Sequence, residues 1–250
     1  MISNSKSYLF ICGCARSGTS IITELIRRDT RIAMGRERFN SLFKLDQLAL
    51  NQSVFSQERF CKLLLEGDTH YTELNKYYND VNDRWDDNIY YGDKIPSLFK
   101  GYEYLTETFD KPKVIFLLRN VFDVSHSWEK RRLHSIETNG KWPQNRGFKE
   151  SVLEWNTSIR NTIKFVDNHP DQIFIIPYDR LFSDAQLLVD LFAFLDIEVT
   201  NTVKSFWETN VQRKVKLEQQ RKINMPTEVK KHICLHADFD GYRTLNQSCL

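Results

Sequence analysis

The chain has 250 residues, a formal net charge of +2 at pH 7, and 41% hydrophobic and 13% aromatic residues. This composition can fill the core of one large α/β domain, or of one domain with an inserted lobe, and excludes a disordered chain. The near-neutral charge excludes a global basic field for nucleic acid, so any anion site has to be local.

Tyr8–Cys12 (YLFIC) reads as a buried strand, followed at once by a Gly-bearing loop. From Thr19 to Arg28, Ile21, Ile22, Leu25 and Ile26 recur at helical spacing, so the chain opens strand–loop–helix. Phe39 to Asp83 is mostly helical in pattern, with Leu42, Leu45, Leu48 and Ala49 in one stripe, Phe60, Leu63 and Leu64 in a second, and Tyr71–Tyr78 as a third piece. Ile89–Tyr91 is a short strand that ends at Gly92-Asp93-Lys94, and Pro96 opens a helix through Tyr104. Lys113–Leu118 (KVIFLL) is apolar on both faces, as a central parallel strand is, and Val121–Arg132 follows as a helix.

Phe148, Val152, Trp155, Ile159, Ile163 and Val166 mark a long amphipathic helix. Gln172–Pro177 is a further strand, and Ser183 with Gln186 predicts a capping box for a helix through Leu195. Beyond Thr200 the pattern weakens: Arg213–Lys222 is basic and polar, and Pro226–His236 is a last helix. The alternation implies an α/β fold, a mostly parallel sheet flanked by helices on both faces, with ligands at the carboxyl ends of the strands. One domain over 1–250 is expected, with a helical insertion around 39–88.

The loop Gly13, Cys14, Ala15, Arg16, Ser17, Gly18, Thr19, Ser20 has P-loop spacing. Its glycines let backbone N–H groups turn inward beside a helix N-terminus, which is an anion cradle. A nucleotide triphosphatase has lysine where Thr19 stands, and here the cation lies inside the loop at Arg16. The strand at Val114–Leu118 ends in Arg119, not in a magnesium-holding aspartate. The site is therefore read as one for a phosphate-bearing ligand without a metal. Arg119, Ser127 and Arg131 supply guanidinium forks and a hydroxyl suited to a terminal phosphate, with Ser127 and Arg131 on one helical face. Two metal-like groupings, Cys12 with Cys14 and His232 with Cys234 and His236, read as ordinary structural residues.

These segments resemble the sulfotransferase family that uses 3′-phosphoadenosine 5′-phosphosulfate. CARSGTS looks like the family's 5′-phosphosulfate loop, and RNVFDVSHS, Arg119 through Ser127, like its 3′-phosphate segment. GDKIPS, PYDRL with FLDI, and Gly241-Tyr242 also look like family features, closest to the bacterial and protein-tyrosine or carbohydrate branch. The resemblance is specific at the two phosphate segments and loose between them. It implies a P-loop-like three-layer α/β fold, the donor as co-substrate, its 3′-phosphoadenosine 5′-phosphate (PAP) as leaving group, and no metal. Arg16 and the loop would hold the 5′-phosphosulfate, Arg119 and Ser127 the 3′-phosphate with Arg131 in support, and Tyr178 would line the adenosine site.

The resemblance points to Glu37, in MGRERFN, as general base, its flanking Arg36 and Arg38 keeping it ionised, and to Lys94 beside the transferred group. Asp93 and Asp123 are structural runners-up. Gln212, Arg213, Lys214 and Lys216 are candidates to cover the donor. The acceptor pocket is expected from the 39–87 region and the 133–148 loop, with Tyr71, Tyr77, Tyr78, Trp85 and Trp142 available to stack on a ring or to fill the core. A carbohydrate or glycoside hydroxyl is the expected acceptor, with tyrosine, lipid and small natural-product hydroxyls open; the alternative functions are a P-loop kinase of a small metabolite and a non-catalytic nucleotide-binding module. The N-terminal MISNSKSYLF has only a short apolar stretch, so a cytoplasmic protein without a transmembrane segment is expected. Five cysteines at irregular spacing argue against a disulfide framework.

Overall fold

The computed structural model describes residues 6–68, 75–181, 183–213, 216 and 225–248. Five strands form one parallel sheet: β1 Ser7–Cys12, β2 Ile32–Arg36, β3 Tyr90–Lys94, β4 Lys113–Leu118 and β5 Ile173–Pro177, in the order β2-β3-β1-β4-β5. Alternation along the strands divides the core in two. Tyr8, Phe10 and Cys12 of β1, with Val114, Phe116 and Leu118 of β4, enter one hydrophobic cluster. Leu9, Ile11, Ile115 and Leu117 enter the cluster on the other face.

The second face is covered by α1 (Thr19–Ile26), α8 (Ala185–Phe194) and α9 (Asn201–Phe206). The first is covered by α5 (Val121–Thr138), α6 (Phe148–Asn168), α4 (Tyr102–Thr108), the helix Thr227–His236, and the segments between β2 and β3. Those segments are short: α2 (Asn40–Leu45), two 3-10 turns at Gln47–Ala49 and Gln52–Phe55, a π turn at Glu58–Lys62, and α3 (Asn75–Asp83). A cage of rings joins them, with Phe55 meeting Phe10, Phe39 and Phe109 within 5.9 Å. Tyr78 and Trp85 are buried in this core, while Tyr71 lies outside the described residues.

Several boundaries differ from the sequence reading. β2 was not anticipated, because Ile32–Arg36 (IAMGR) has no alternating pattern; it pairs with β3 and fixes the segment that follows it. β3 runs through Gly92, Asp93 and Lys94 instead of stopping before them. Gly92 permits this, since a Cβ there would lie 1.6 Å from the Leu9 carbonyl oxygen. Pro96 opens a 3-10 turn to Lys100 before α4. The cap of α8 is Asp184, whose carboxylate accepts the Gln186 N–H at 3.0 Å, not Ser183, whose hydroxyl donates to the Asp179 carbonyl. Thr227–His236 is helical as read, with the His232 and His236 rings 4.4 Å apart. Among the described residues, no group of three or more metal-ligating side chains converges, and no helix is long and apolar enough to cross a membrane.

Candidate active site

A parallel sheet brings the turns after its strands to one edge. The turn after β1 is shaped by left-handed backbone at Gly13 (φ 147°), Arg16 (φ 78°) and Gly18 (φ 99°). A Cβ at Gly13 would lie 2.7 Å from the Leu117 carbonyl oxygen, and one at Gly18 2.4 Å from the Tyr178 ring. Gly18 has no side chain with which to cap α1, so the first-turn N–H groups at Thr19 and Ser20 lack a side-chain cap. The loop is tied from behind: the Ser17 N–H and hydroxyl both donate to the Cys14 carbonyl, and the Trp128 indole donates to the Ala15 carbonyl at 2.8 Å.

The turn after β4 is held in the same way. The Trp155 indole donates to the Arg119 carbonyl at 2.8 Å, and Arg119 donates to the Arg16 carbonyl at 3.1 Å. The Arg119 guanidinium lies 4.0 Å from the Tyr178 ring centre and 3.5 Å from Asp123. Arg16 extends to the Ser127 hydroxyl, its Nε donating at 3.0 Å. Partial burial, followed by the neighbouring charges of Arg131 and Arg119, holds Arg16 below the usual arginine range; Glu37 and Tyr178 oppose this. Three guanidiniums that repel one another around an uncapped helix start form a site that an anion relieves.

On the other side of β1 stand the ends of β2 and β3. Glu37 has left-handed backbone (φ 60°), its N–H donates to the Lys94 carbonyl at 3.0 Å, and its carboxylate accepts the Lys94 ammonium. Lys94 is only 1% exposed. Burial lowers its pKa, against the raising effect of the Glu37 carboxylate. The flanking arginines expected to hold Glu37 ionised are engaged elsewhere. Arg36 pairs with Glu24, and the buried Arg38 guanidinium donates to the Arg59 and Leu63 carbonyls. Lys94 forms an ion pair with Glu37, and the charge of Glu37 also reaches Arg16.

Asp93 fixes this corner. Its carboxylate accepts the N–H groups of Lys94 at 2.8 Å, Arg38 at 3.2 Å and Phe39 at 2.7 Å. Complete burial pushes it up to about 7, with those backbone donors and Lys94 acting in the opposite direction.

A cavity of about 910 Å³ opens over both flanks. Ala15, Arg16, Gly18, Thr19, Ser20, Glu37, Arg119, Arg131 and Tyr178 all line it. Gly13, Cys14, Ser17 and Lys94 are buried behind its surface. Ser127 lies in an adjoining groove that shares Arg16, Arg131 and Trp142 with the cavity. Gln212, Arg213 and Lys216 are exposed away from the lining, and Lys214 lies outside the described residues.

The wall nearest α2 and α6 carries Lys44, Lys100, Arg146 and Glu154, which the sequence reading did not single out. Glu154 stands off the apolar stripe of α6 and so reads as solvated, yet it is 13% exposed and pairs with Arg146 at 2.6 Å. Trp142 lines the cavity, whereas Tyr77 packs under Arg27 with its hydroxyl accepting the Met34 N–H.

Similarity to known proteins follows the same lines. The profile described as the sulfotransferase family matches residues 9–201. Among curated protein sequences there is no significant match. The sulfotransferase domain of the Synechococcus PCC 7002 olefin synthase superposes with a TM-score of 0.57 at 14% identity, covering 97% of this chain and 94% of that one. A sulfotransferase from Alicyclobacillus acidocaldarius gives 0.55 at 14% identity, with 96% and 99% covered. Mouse sulfotransferase SULT7A1, solved in complex with PAP, gives 0.54 at 14% identity, with 97% and 89% covered. These structural likenesses concern the fold, and the family match spans both cavity-lining turns. The chain belongs to the sulfotransferase family.

Proposed function

We propose that the protein moves a sulfuryl group from 3′-phosphoadenosine 5′-phosphosulfate to an acceptor hydroxyl, of a carbohydrate or glycoside. The observation that carries this reading is one cavity with an uncapped, guanidinium-lined loop on one flank of β1 and a carboxylate–lysine pair on the other. The PAP complex of the mouse enzyme, which shares the fold, supports the donor class. The residues fit the donor: Gly13 and Gly18 allow the left-handed backbone of a loop that ends at an uncapped helix start, and Arg16, Arg119 and Arg131 supply cations in the cavity lining. The kinase alternative is not favoured, since Thr19 stands at the lysine position and Arg119 ends β4.

In this reading Arg16, Thr19, Ser20 and the loop amides bind the 5′-phosphosulfate. Arg119 and Ser127, with Arg131, bind the 3′-phosphate, and Tyr178 flanks the adenosine. Glu37 accepts the proton of the acceptor hydroxyl as its oxygen bonds to sulfur. The sulfur–oxygen bond to the 5′-phosphate breaks, and Arg16 with the loop N–H groups holds the charge that develops on the leaving phosphate. Lys94, beneath Glu37, orients that carboxylate and keeps it ionised. No step needs a metal. The chain works as one domain over 1–250, the 39–88 insertion shaping the acceptor side.

Calorimetric titration with PAP, beside ADP with and without Mg²⁺, tests the donor. Metal-independent binding that needs the 3′-phosphate is expected. Preference for ADP with Mg²⁺, or no binding of PAP, sinks the sulfotransferase reading.

A further inference from the structure

Three observations converge on the wall of the cavity away from the donor loop. First, its polar groups outweigh its apolar ones: Asn40, Lys44, Gln47, Ser97, Lys100 and Arg146 stand there beside Phe43 and Pro96. A site for a flat apolar alcohol is lined mainly by hydrophobic side chains with few polar groups. Second, the charges do not cancel. Lys100 lies 3.6 Å and Arg146 2.6 Å from the same carboxylate, Glu154, and both Lys44 and Lys100 are solvent-exposed. Three cations against one carboxylate leave an excess of two positive charges on this wall, separate from the arginines given to the donor. Third, the wall stands on elements tied together: Gln47 donates to the Lys100 carbonyl, and Asn161 of α6 donates to the Phe99 carbonyl. Its rim carries the half-buried Trp142, whose indole donates to the Arg146 carbonyl at 2.8 Å and meets Trp128 edge-on at 5.2 Å.

We propose that the acceptor is a glycoside that carries an anionic group of its own, a carboxylate, sulfate or phosphate, seated on Lys44, Lys100 and Arg146. Glu154 holds Arg146 in place and leaves Lys100 and Lys44 to the ligand. The inference rests on the sulfotransferase reading for the word acceptor, but the subsite itself is a property of the wall. The volume of about 910 Å³ is at the upper end of the roughly 300–1,000 Å³ of small-molecule sites, consistent with room for a second substrate beside the donor. Charge-assisted contacts of this kind weaken with salt.

The test is an NMR titration, at low and at high salt, with methyl β-glucuronide, glucose 6-sulfate, glucose 6-phosphate and the neutral methyl β-glucoside. Each is added to the protein with and without saturating PAP. At least one anionic sugar should bind about tenfold more tightly than the neutral glucoside, as one or two charge-assisted contacts provide. The tightest of the three names the anion. Lys44→Ala combined with Lys100→Gln should erase that preference while PAP affinity stays within about twofold, because both side chains are exposed and outside the donor contacts. Equal binding of neutral and anionic sugars, a preference that survives the double variant, or no binding of any sugar overturns the subsite and leaves the donor reading standing. Failure of PAP to bind overturns the donor reading instead, and the PAP-free titrations then decide the subsite alone.

Discussion

On the β4–β5 flank of the central strand, the groups aimed into the cavity stand on turns held by backbone conformation and by hydrogen bonds from buried indoles. On the β2–β3 flank, the wall comes from a six-residue helix and two 3-10 turns, with rings and buried ions packed behind it. The first construction specifies one ligand shape, because glycines and helix starts recognise phosphate through main chain that side-chain drift cannot alter. The second leaves the lining to side chains that can change without moving the sheet. A common donor on one flank and a variable acceptor on the other is the division of labour these two constructions suit.

Substitutions on either flank can break that division. Glu37→Gln keeps an acceptor for the Lys94 ammonium but removes the proposed base. Turnover should drop by about 100- to 10,000-fold while PAP affinity stays within about twofold, by kinetics and calorimetry on one preparation. Loss of PAP affinity to match would place Glu37 on the donor flank. Arg119→Ala should do the reverse, weakening PAP about ten- to a hundredfold, the value of one or two hydrogen bonds from a charged group. Unchanged affinity would dissociate the β4 turn from the 3′-phosphate.

Gly18→Ala forces a side chain into left-handed backbone and against the Tyr178 ring. A loss of about 1–3 kcal/mol in unfolding free energy is expected, together with weaker PAP binding. Wild-type stability in denaturant would mean that the loop yields easily, contrary to the rigid cradle.

The smallest effect concerns Asp93. Its pKa in the fold is raised from 3.8 to about 7, so between those values the folded protein holds the extra proton and stability falls as pH rises. Above about 7 both states are ionised at this group and the slope ends. Asp93→Asn should flatten the slope of thermal midpoint against pH in that window. It should also disturb Glu37, because one amide oxygen cannot replace a carboxylate that accepts three N–H groups. An unaltered slope would assign the pH dependence to other groups.

The legible part of the sequence follows the same division. Gly13, Arg16, Gly18 and Arg119 were readable because a strand end, a glycine spacing and a helix start dictate backbone, and backbone dictates where an arginine is useful. β2 was invisible, since five residues with a glycine carry no period, and its pairing partners, Tyr90 for Ile32 through Lys94 for Arg36, lie 58 positions later. Without β2, Glu37 could be placed only by resemblance, and its lysine partner could not be found, because Lys94 reaches it through strand register. The wall formed by Lys44, Lys100 and Arg146 was illegible for a different reason. Each of these residues reads as a solvated charge, and only the packing of α2 and α6 on the Pro96 turn brings them to one face.

The indoles of Trp128 and Trp155 hang from different helices and end on carbonyls of the two turns that line the cavity. Each is a chromophore whose N–H partner lies within the site. A change at either turn alters the polarity around a ring that solvent does not reach. The intrinsic emission of the unlabelled protein, to which Trp85, Trp142 and Trp207 also contribute, should therefore respond to site occupancy. Replacing one ring at a time with phenylalanine would separate the signal of the β1 turn from that of the β4 turn.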